Sequence, residues 1–569
     1  MNLTTKHFDG VYIEYDGTNA VLGFSTKPQE ARARFLLSMK QNEGAFTLTE
    51  KPHFQTVGPM LDTSRGKVMT VEGVKRFLDK IQKLGLNMLM LYTEDLFEVE
   101  GYPQFGYQRG RYTLEELREL DRYAASLGIE LIPCIQTFGH LEKYLRTPEG
   151  SRIKDNTTVL MAGEEETYAF IEAELKAIRS AFTTNRIHLG MDETYGMGLG
   201  NYLEKNGYRN PAELYREHLT RVLEISKKYF EKPMIWSDML FHQNGKNYAE
   251  DYDPTQEFVD KTPAVDLVFW EYGKESYRFY KHAIDQHNRF KGDTVFGGSV
   301  WTWNGLTPNF DFTLKTTKPA LEACIDGGVQ TVIATMWVSG GAGADYDQAI
   351  AGLAAFSEYC YKGKACTDAD IFAAAKHLTD VDERLARAIS AVYLGKRSAS
   401  AISNALLFGE PLMDFMMTDI DFNKAIPAYT EARRIINSYP DYQYREFYDL
   451  FYASAIGKAT LYAKLYPAYR AGDRQVLAEL TAQIPALLEN YHRFYKLFKS
   501  LWYRDYKPQG IENYTLLFGG TMQRLEDARE RLQGYLDGTL FTLEELEGER
   551  LAFTHKNWRT ATSFAAYNN

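Results

Sequence analysis

Between Val57 and Tyr359, short apolar runs alternate with amphipathic stretches long enough to hold crossover helices, and eight such runs can be counted. That alternation constrains the chain more than any single motif. Parallel neighbours need a connection of a dozen or more residues, so eight strand and helix units in succession predict a sheet that closes on itself. The runs end near Asp62, Tyr92, Gln136, Glu193, Asp238, Glu271, Trp303 and Val338. Helix signals fall between them. Thr70 and Thr113 stand where an N-cap hydroxyl belongs, Glu116 takes the capping-box position behind Thr113, and Gly85 and Gly128 stand where the two helices should stop.

The expected architecture is therefore α/β: a (β/α)8 (TIM) barrel over residues 57–362, with a small α/β domain at 1–56 and an all-helical domain at 363–569. Residues 11–15 read as a strand and 27–41 as a helix of the first domain. In the last domain Phe494, Leu497, Phe498, Leu501 and Trp502 recur at spacings of three and four, the stripe of a helix facing a core. At 569 residues the chain is too long for one ordinary domain.

A net charge of −11 argues against nucleic acid as a partner, because that affinity rests on Lys and Arg neutralising phosphates. No stretch of about 18 apolar residues could cross a bilayer, and residues 1–7 lack a hydrophobic run, so a cytoplasmic, membrane-free protein is expected. Cys134, Cys324, Cys360 and Cys366 show no paired metal spacing and read as buried free thiols.

In a barrel of this kind the chemistry sits on the loops past the carboxyl ends of the strands. Those positions hold Asp62 and Arg65, Glu94 and Asp95, His140, Asp192 and Glu193, Trp236 and Asp238, Trp270, Glu271 and Tyr272, Trp301 and Trp303, and Trp337. Five of the chain's seven tryptophans fall there, and flat apolar faces suit sugar rings. The most telling segment is Ile187-His188-Leu189-Gly190-Met191-Asp192-Glu193, a short apolar strand with two adjacent carboxylates at its end. Such a pair can divide the cleavage of a glycosidic bond, one group protonating the leaving oxygen while the other holds the substrate group that attacks.

That segment resembles the Gly-x-Asp-Glu signature of family 20 glycoside hydrolases, the β-N-acetylhexosaminidases. The stretch from Gly198-Leu199-Gly200 to Lys232-Pro233-Met234-Ile235-Trp236-Ser237-Asp238-Met239 is similar to the family's intracellular bacterial branch, which joins a small amino-terminal domain, a barrel and a helical carboxyl-terminal domain. The resemblance implies an exo-acting enzyme that removes terminal non-reducing β-GlcNAc or β-GalNAc with retention. The substrate's own 2-acetamido oxygen attacks the anomeric carbon and forms an oxazolinium ion, so no enzyme nucleophile, metal or cofactor is expected. Asp192 would orient the acetamide and steady its developing charge, and Glu193 would act first as acid and then as base. Glu193 is expected to hold its proton through partial burial against indole walls.

By the same resemblance Arg65 would grip the C3 and C4 hydroxyls, Asp95 and His140 would brace the acid and the sugar, and Trp236, Trp270 and Trp337 would wall the acetamide and underlie the ring. Tyr272 would donate to the acetamide oxygen, and Trp303 stands with the other strand-end aromatics as a substrate contact. Two features depart from the branch. Thr194-Tyr195 follows the carboxylate pair where Ala-His is usual, and strand eight runs on as Trp337-Val338-Ser339-Gly340-Gly341-Ala342-Gly343-Ala344-Asp345 instead of ending Trp-Gly-Asp. Asp345 is expected to reach back to the C4 and C6 hydroxyls, and the glycine-rich loop to admit an axial C4 hydroxyl or a substituted, even sulfated, C6. Small oligosaccharides or glycosides are the expected partners, with a homodimer as a family-level expectation. A conventional two-carboxylate retaining glycosidase using Glu271 or Asp238, and an inactive carbohydrate-binding barrel, stay open as alternatives.

Overall fold

The structure, a computed structural model, describes residues 1–551 apart from 244, 246, 249–251, 304, 339–342, 395–399 and 414–419. It packs as two compact units: residues 1–299, 314–336 and 352–378 form the first, and 300–313, 337–351 and 379 onward form the second.

The first unit opens with β1 (Asn2–His7), β2 (Val11–Tyr15), β3 (Asn19–Phe24) and β4 (Phe46–Glu50), a four-stranded sheet in the order β1-β3-β2-β4 with β1 and β3 parallel. The sequence pattern had revealed only one of these strands. Helix α1 (Lys27–Lys40) starts with a full capping box, Thr26 and Gln29 each satisfying the other's backbone N–H.

Eight parallel strands then close the barrel: β5 (Thr56–Asp62), β6 (Met88–Tyr92), β7 (Glu130–Cys134), β8 (Arg186–His188), β9 (Lys232–Trp236), β10 (Asp266–Trp270), β11 (Thr294–Ser299) and β12 (Thr331–Met336). Closure is direct, with β12 pairing β5 from Thr331 opposite Thr56 to Met336 opposite Leu61. All five residues of β6 are buried, as expected of a parallel strand covered on both faces. Helix α2 (Val71–Lys83) begins on the Thr70 hydroxyl, and α3 (Leu114–Leu127) begins on the reciprocal Thr113 and Glu116 pair and ends on Gly128 at φ 75°. Several strands stop earlier than their apolar runs suggest. β8 is three residues long, so Asp192 and Glu193 stand on a loop rather than on a strand tip, and β11 ends at Ser299, before Trp303.

The second unit is helical in its carboxyl-terminal part, with successive helices Phe422–Asn437, Arg445–Ala471, Arg474–Asp505 and Ile511–Asp537 packed on one another. Phe494, Phe498 and Trp502 are buried there, with Phe494 edge-on to Phe518 and Phe498 and Trp502 against Tyr514, while Leu497 and Leu501 are half-buried. All four cysteines are buried and free. Among the described residues no helix is long and apolar enough to cross a membrane.

One buried ion cluster ties the amino-terminal sheet to the barrel. The Arg32 guanidinium, fully enclosed, donates to Glu50 at the end of β4 (2.7 and 3.0 Å) and to Glu358 on the helix Leu353–Lys362 (2.9 Å). Removing the cation alone would leave the buried Glu50 without its counter-charge and Glu358 dependent on Lys362 (2.9 Å). Arg32→Ala is therefore expected to lose about 3–5 kcal/mol of stability, read by urea unfolding. A loss below about 1 kcal/mol would mean the cluster is not the tie described here.

Candidate active site

The loop after β8 is built from unusual backbone. Gly190, Met191 and Glu193 all lie in the left-handed region, with φ of 72°, 74° and 46°. Among the described residues seven non-glycine positions have positive φ, and four of them, Glu94, His140, Met191 and Glu193, sit just past barrel strands. Strain of this kind persists only where the surroundings over-determine it, and it gathers at functional sites.

The determinants are visible one by one. Gly190 N–H donates to His188 Nδ1 (3.0 Å), Met191 N–H to Gln136 Oε1 (3.3 Å) and Glu193 N–H to Asp238 Oδ2 (3.1 Å). The Gly190 carbonyl accepts from Trp236 N–H (3.1 Å), and the Met191 carbonyl from the Tyr215 hydroxyl (3.0 Å). A side chain at position 190 would meet Gln136 Oε1 at 2.1 Å, and one at position 139 would meet the Asp192 carbonyl at 2.6 Å, so both glycines are there for close approach. Burial drives the His188 imidazole down to about 3, which keeps it neutral and its Nδ1 free to accept. Its ring lies against the buried Trp236 indole, centroids 4.3 Å apart.

The side chains form a continuous polar chain across the strand ends of the first unit. Asp62 takes Ser64 N–H and Oγ–H on one oxygen and aims Arg65 with the other (2.7 Å). Arg65 also faces Glu94 (3.3 Å), which accepts from the Tyr92 hydroxyl (3.0 Å). Gln136 Nε2 donates both to that hydroxyl (2.9 Å) and to Asp192 Oδ1 (2.8 Å). His140 Nε2 then stands 3.2 Å from Asp192 Oδ2 and 3.3 Å from Glu193 Oε2.

Charge divides unevenly along this chain. Burial pushes Asp192 up, but His140 and the Gln136 amide outweigh it and hold the carboxyl below the usual aspartate range. Burial pulls His140 down, yet Asp192 and Glu193 leave its imidazole well above its ordinary value. Glu94 goes up to about 7, driven by burial and opposed mainly by Arg65. Asp238 also goes up to about 7, through burial and the nearby Asp192 charge, against the Glu193 N–H and the Trp270 indole.

Of the residues singled out from sequence, the first unit thus brings Arg65, His140, Asp192 and Glu193 into one network. Asp95 lies beside it, buried and paired with Arg109, which also donates to the Ser64 carbonyl. Trp270 and Tyr272 stack on each other, centroids 5.1 Å apart, at the end of β10. Trp303, Trp337 and Asp345 belong to the second unit. There Trp303 stacks on Trp301 (4.2 Å), the Trp337 carbonyl accepts from the Thr302 hydroxyl (2.7 Å), and Asp345 caps the helix Tyr346–Ala349 through Asp347 N–H (2.9 Å) and Gln348 N–H (3.2 Å). Residues 339–342 of the glycine-rich loop lie outside the described residues. The expectation of a shielded Glu193 needs correcting: its side chain is 43% exposed against 10% for Asp192, and the carboxyls around this network that burial pushes up to about 7 are Glu94 and Asp238. Sequence reasoning passed over Tyr92 and Gln136 as side chains and gave Glu94 no role, although all three stand where a strand meets its loop.

A barrel rim that holds adjacent carboxylates this firmly, one shut in and one open to a substrate, is that of a glycoside hydrolase. A family model described as the catalytic domain of glycosyl hydrolase family 20 matches residues 54–271, and one described as the glycoside hydrolase 20C C-terminal domain matches 384–564. The chain belongs to glycoside hydrolase family 20. Among its relatives are hexosaminidase D of Bos taurus, 26% identical over 40% of this chain and 67% of that protein, and a β-hexosaminidase of Vibrio furnissii, 27% identical over 50% and 58%. It covers less than two thirds of most such relatives' length, 43% for hexosaminidase D of Homo sapiens. The fold is shared with the crystal structure of a family 20 exo-β-N-acetylglucosaminidase from Vibrio harveyi, at a TM-score of 0.50, 17% identity and coverage of 68% of this chain and 69% of that one.

The ionisation pattern has a consequence for stability. A carboxyl whose folded pKa is raised, as for Asp238, binds its proton more tightly folded than unfolded, so its contribution is greatest below about pH 4 and is lost as pH rises towards 7. Asp238→Asn keeps an oxygen to accept the Glu193 N–H and cannot ionise. Its apparent Tm relative to the parent is expected to rise by about 2–4 °C between pH 5 and pH 8, the equivalent of roughly 2–3 kcal/mol. A difference that is the same at both pH values in thermal scans would show that Asp238 carries no such proton.

Proposed function

We propose that this chain is an exo-β-N-acetylhexosaminidase acting on terminal β-GlcNAc or β-GalNAc by substrate-assisted retention. The observation that carries the reading is the asymmetry of the neighbouring carboxylates: Asp192 is enclosed, hydrogen-bonded by Gln136 and held as an anion, while Glu193 faces outward on the same loop. An enclosed anion cannot easily reach an anomeric carbon, but it can accept the acetamide N–H and oppose the positive charge that grows on the amide as its oxygen attacks. Glu193 protonates the glycosidic oxygen as the C1–O bond breaks. It then takes a proton from the water that opens the oxazolinium at C1, returning the acetamide and releasing the sugar with its configuration retained. His140, bridging both carboxylates, fixes their spacing.

The conventional two-carboxylate alternative is less well supported. Glu271 folds back to accept its own loop's Gly273 N–H (2.6 Å), and Asp238 is spent on the Glu193 backbone and holds a proton near neutrality. A nucleophile needs the opposite: an ionised, forward-facing carboxylate about 5 Å from the acid.

Kinetics with aryl glycosides test this directly. Glu193→Gln is expected to lower kcat on an aryl β-N-acetylglucosaminide by about 10²–10⁴-fold with little change in ground-state affinity, and Asp192→Asn to lower kcat steeply as well. A thiazoline mimic of the oxazolinium should inhibit, and aryl β-glucoside should be a poor substrate. Equal turnover of the glucoside with no thiazoline inhibition would replace the acetamide mechanism with a conventional one.

A further inference from the structure

Six barrel strands open on a polar residue, and those six residues surround one cavity at the amino ends of the strands, the end away from the catalytic loop. They are Thr56 (β5), Arg186 (β8), Lys232 (β9), Asp266 (β10), Thr294 (β11) and Thr331 (β12), and the space they help to line measures about 550 Å³. The layers inside a barrel are usually filled by bulky branched side chains, so a polar layer with this much room calls for a reason of its own.

One side of the layer is complete in itself. The Arg186 guanidinium binds both oxygens of Glu130 on β7 and reaches Thr56 Oγ1 (3.2 Å) and Thr331 Oγ1 (3.4 Å), so its charge is answered where it stands. The other side is not. Asp266 and Thr294 are neighbours, since Leu267 pairs Thr294 across β10 and β11. Asp266 Oδ1 accepts the Asp293 N–H (2.9 Å), and its second oxygen has no donor among the described residues. The Thr294 hydroxyl is buried and makes no hydrogen bond among the described residues. An unmade hydrogen bond in a buried place costs free energy, and only something that enters the cavity can restore it. Lys232 stands exposed on the strand at the other side of Asp266, and its ammonium has no ion pair or hydrogen bond among the described residues.

Burial raises the Asp266 carboxyl above the usual aspartate range; the Asp293 N–H opposes this, the Asp293 charge adds to it, and Lys232 and Arg186 do not make up the balance. An arriving cation would correct that. Lys232 asks for the opposite, a negative group at the rim. A ligand that carries an ammonium for Asp266 and the Thr294 hydroxyl, and a carboxylate for Lys232, satisfies all three through charge-assisted hydrogen bonds. Other chemistries fit less well. An inorganic anion would face Asp266 and Asp293, and a polyamine would bring a second ammonium against Lys232. A metal ion finds no group of three or more His, Cys, Asp or Glu side chains among the described residues, and a sugar finds no aromatic face in the lining. The volume has room for an amino acid together with its side chain.

We propose that the amino end of the barrel is a second binding site, for a free α-amino acid, in which Asp266 and the Thr294 hydroxyl hold the ammonium and Lys232 holds the carboxylate. The site goes beyond the proposed hydrolase chemistry and takes no part in it.

Calorimetric titration of the full chain with each free protein amino acid tests this. At least one is expected to bind with a Kd of about 10 mM or tighter, while its decarboxylated amine and its deaminated acid each bind about tenfold more weakly or worse. Asp266→Asn keeps an oxygen for the Asp293 N–H and Lys232→Met alters an exposed rim residue, so both variants should unfold thermally as the parent does. Each is expected to bind the same amino acid about tenfold more weakly. No binding by any amino acid at about 10 mM would overturn the site. Binding that survives unchanged in both variants would overturn it as well, by placing the amino acid elsewhere on the chain.

Discussion

The amide of Gln136 is the contact on which the site depends. From the end of β7 it reaches three partners at once: the Met191 backbone N–H, the Asp192 carboxylate and the Tyr92 hydroxyl. An amide is suited to this because it offers an acceptor and two donors in one plane, and all three are used here. Its position also dictates Gly190, since a Cβ there would collide with the amide oxygen. The glycine of the Gly-Met-Asp-Glu segment thus follows from the partner strand as much as from its own φ.

Around that amide, four buried acids (Asp62, Glu94, Asp192 and Asp238) share the strand ends with two cationic groups, Arg65 and His140. Like charges in a poorly solvated space cannot all ionise. The geometry settles which do. Asp192 has a histidine and an amide donor and keeps its charge; Glu94 shares Arg65 with Asp62 and holds a proton to about 7. Asp238, close to the Asp192 charge and offered a backbone N–H, also holds its proton to about 7. The effect is to keep negative charge on Asp192, the carboxylate to which the proposed function assigns the acetamide, while Glu94 and Asp238 hold their protons.

Much of this was legible from sequence because it is repetitive or local. Apolar runs separated by helical stretches specify parallel strands whatever their partners, and the caps at Thr70, Thr113 and Gly128 need only neighbours within a few residues. The other strands around Val11–Tyr15 were harder to read: exposed β1 carries no apolar face, and β4, although Phe46 and Leu48 alternate with Thr47 and Thr49, is only five residues long. Within the site, the Asp192-Glu193 pair and His140 could be found because chemistry demands their residue types. Gln136 could not: its role exists only once β7 and β8 are adjacent, and glutamine at a strand end is unremarkable until the loop it pins is known. Asp95 and Glu94 illustrate the same limit, because adjacent carboxylates are equivalent in sequence while Arg109 takes the first and Arg65 the second.

The left-handed backbone at Met191 and Glu193 costs of order 1–3 kcal/mol per residue. What that strain achieves is a reversal of facing between neighbours. In extended backbone adjacent side chains point to opposite sides, and both cannot serve one reacting centre. Here the turn brings both carboxylates to one side, Asp192 at 3.2 Å and Glu193 at 3.3 Å from the same His140 Nε2, with Asp192 enclosed against Gln136 and Glu193 more open. The difference in exposure then suits the different demands on the two groups. Asp192 needs only to remain charged, which a dry, hydrogen-bonded position strengthens. Under the proposed function Glu193 would meet a leaving group in one step and a water molecule in the next, and a carboxyl sealed away as deeply as its neighbour could do neither.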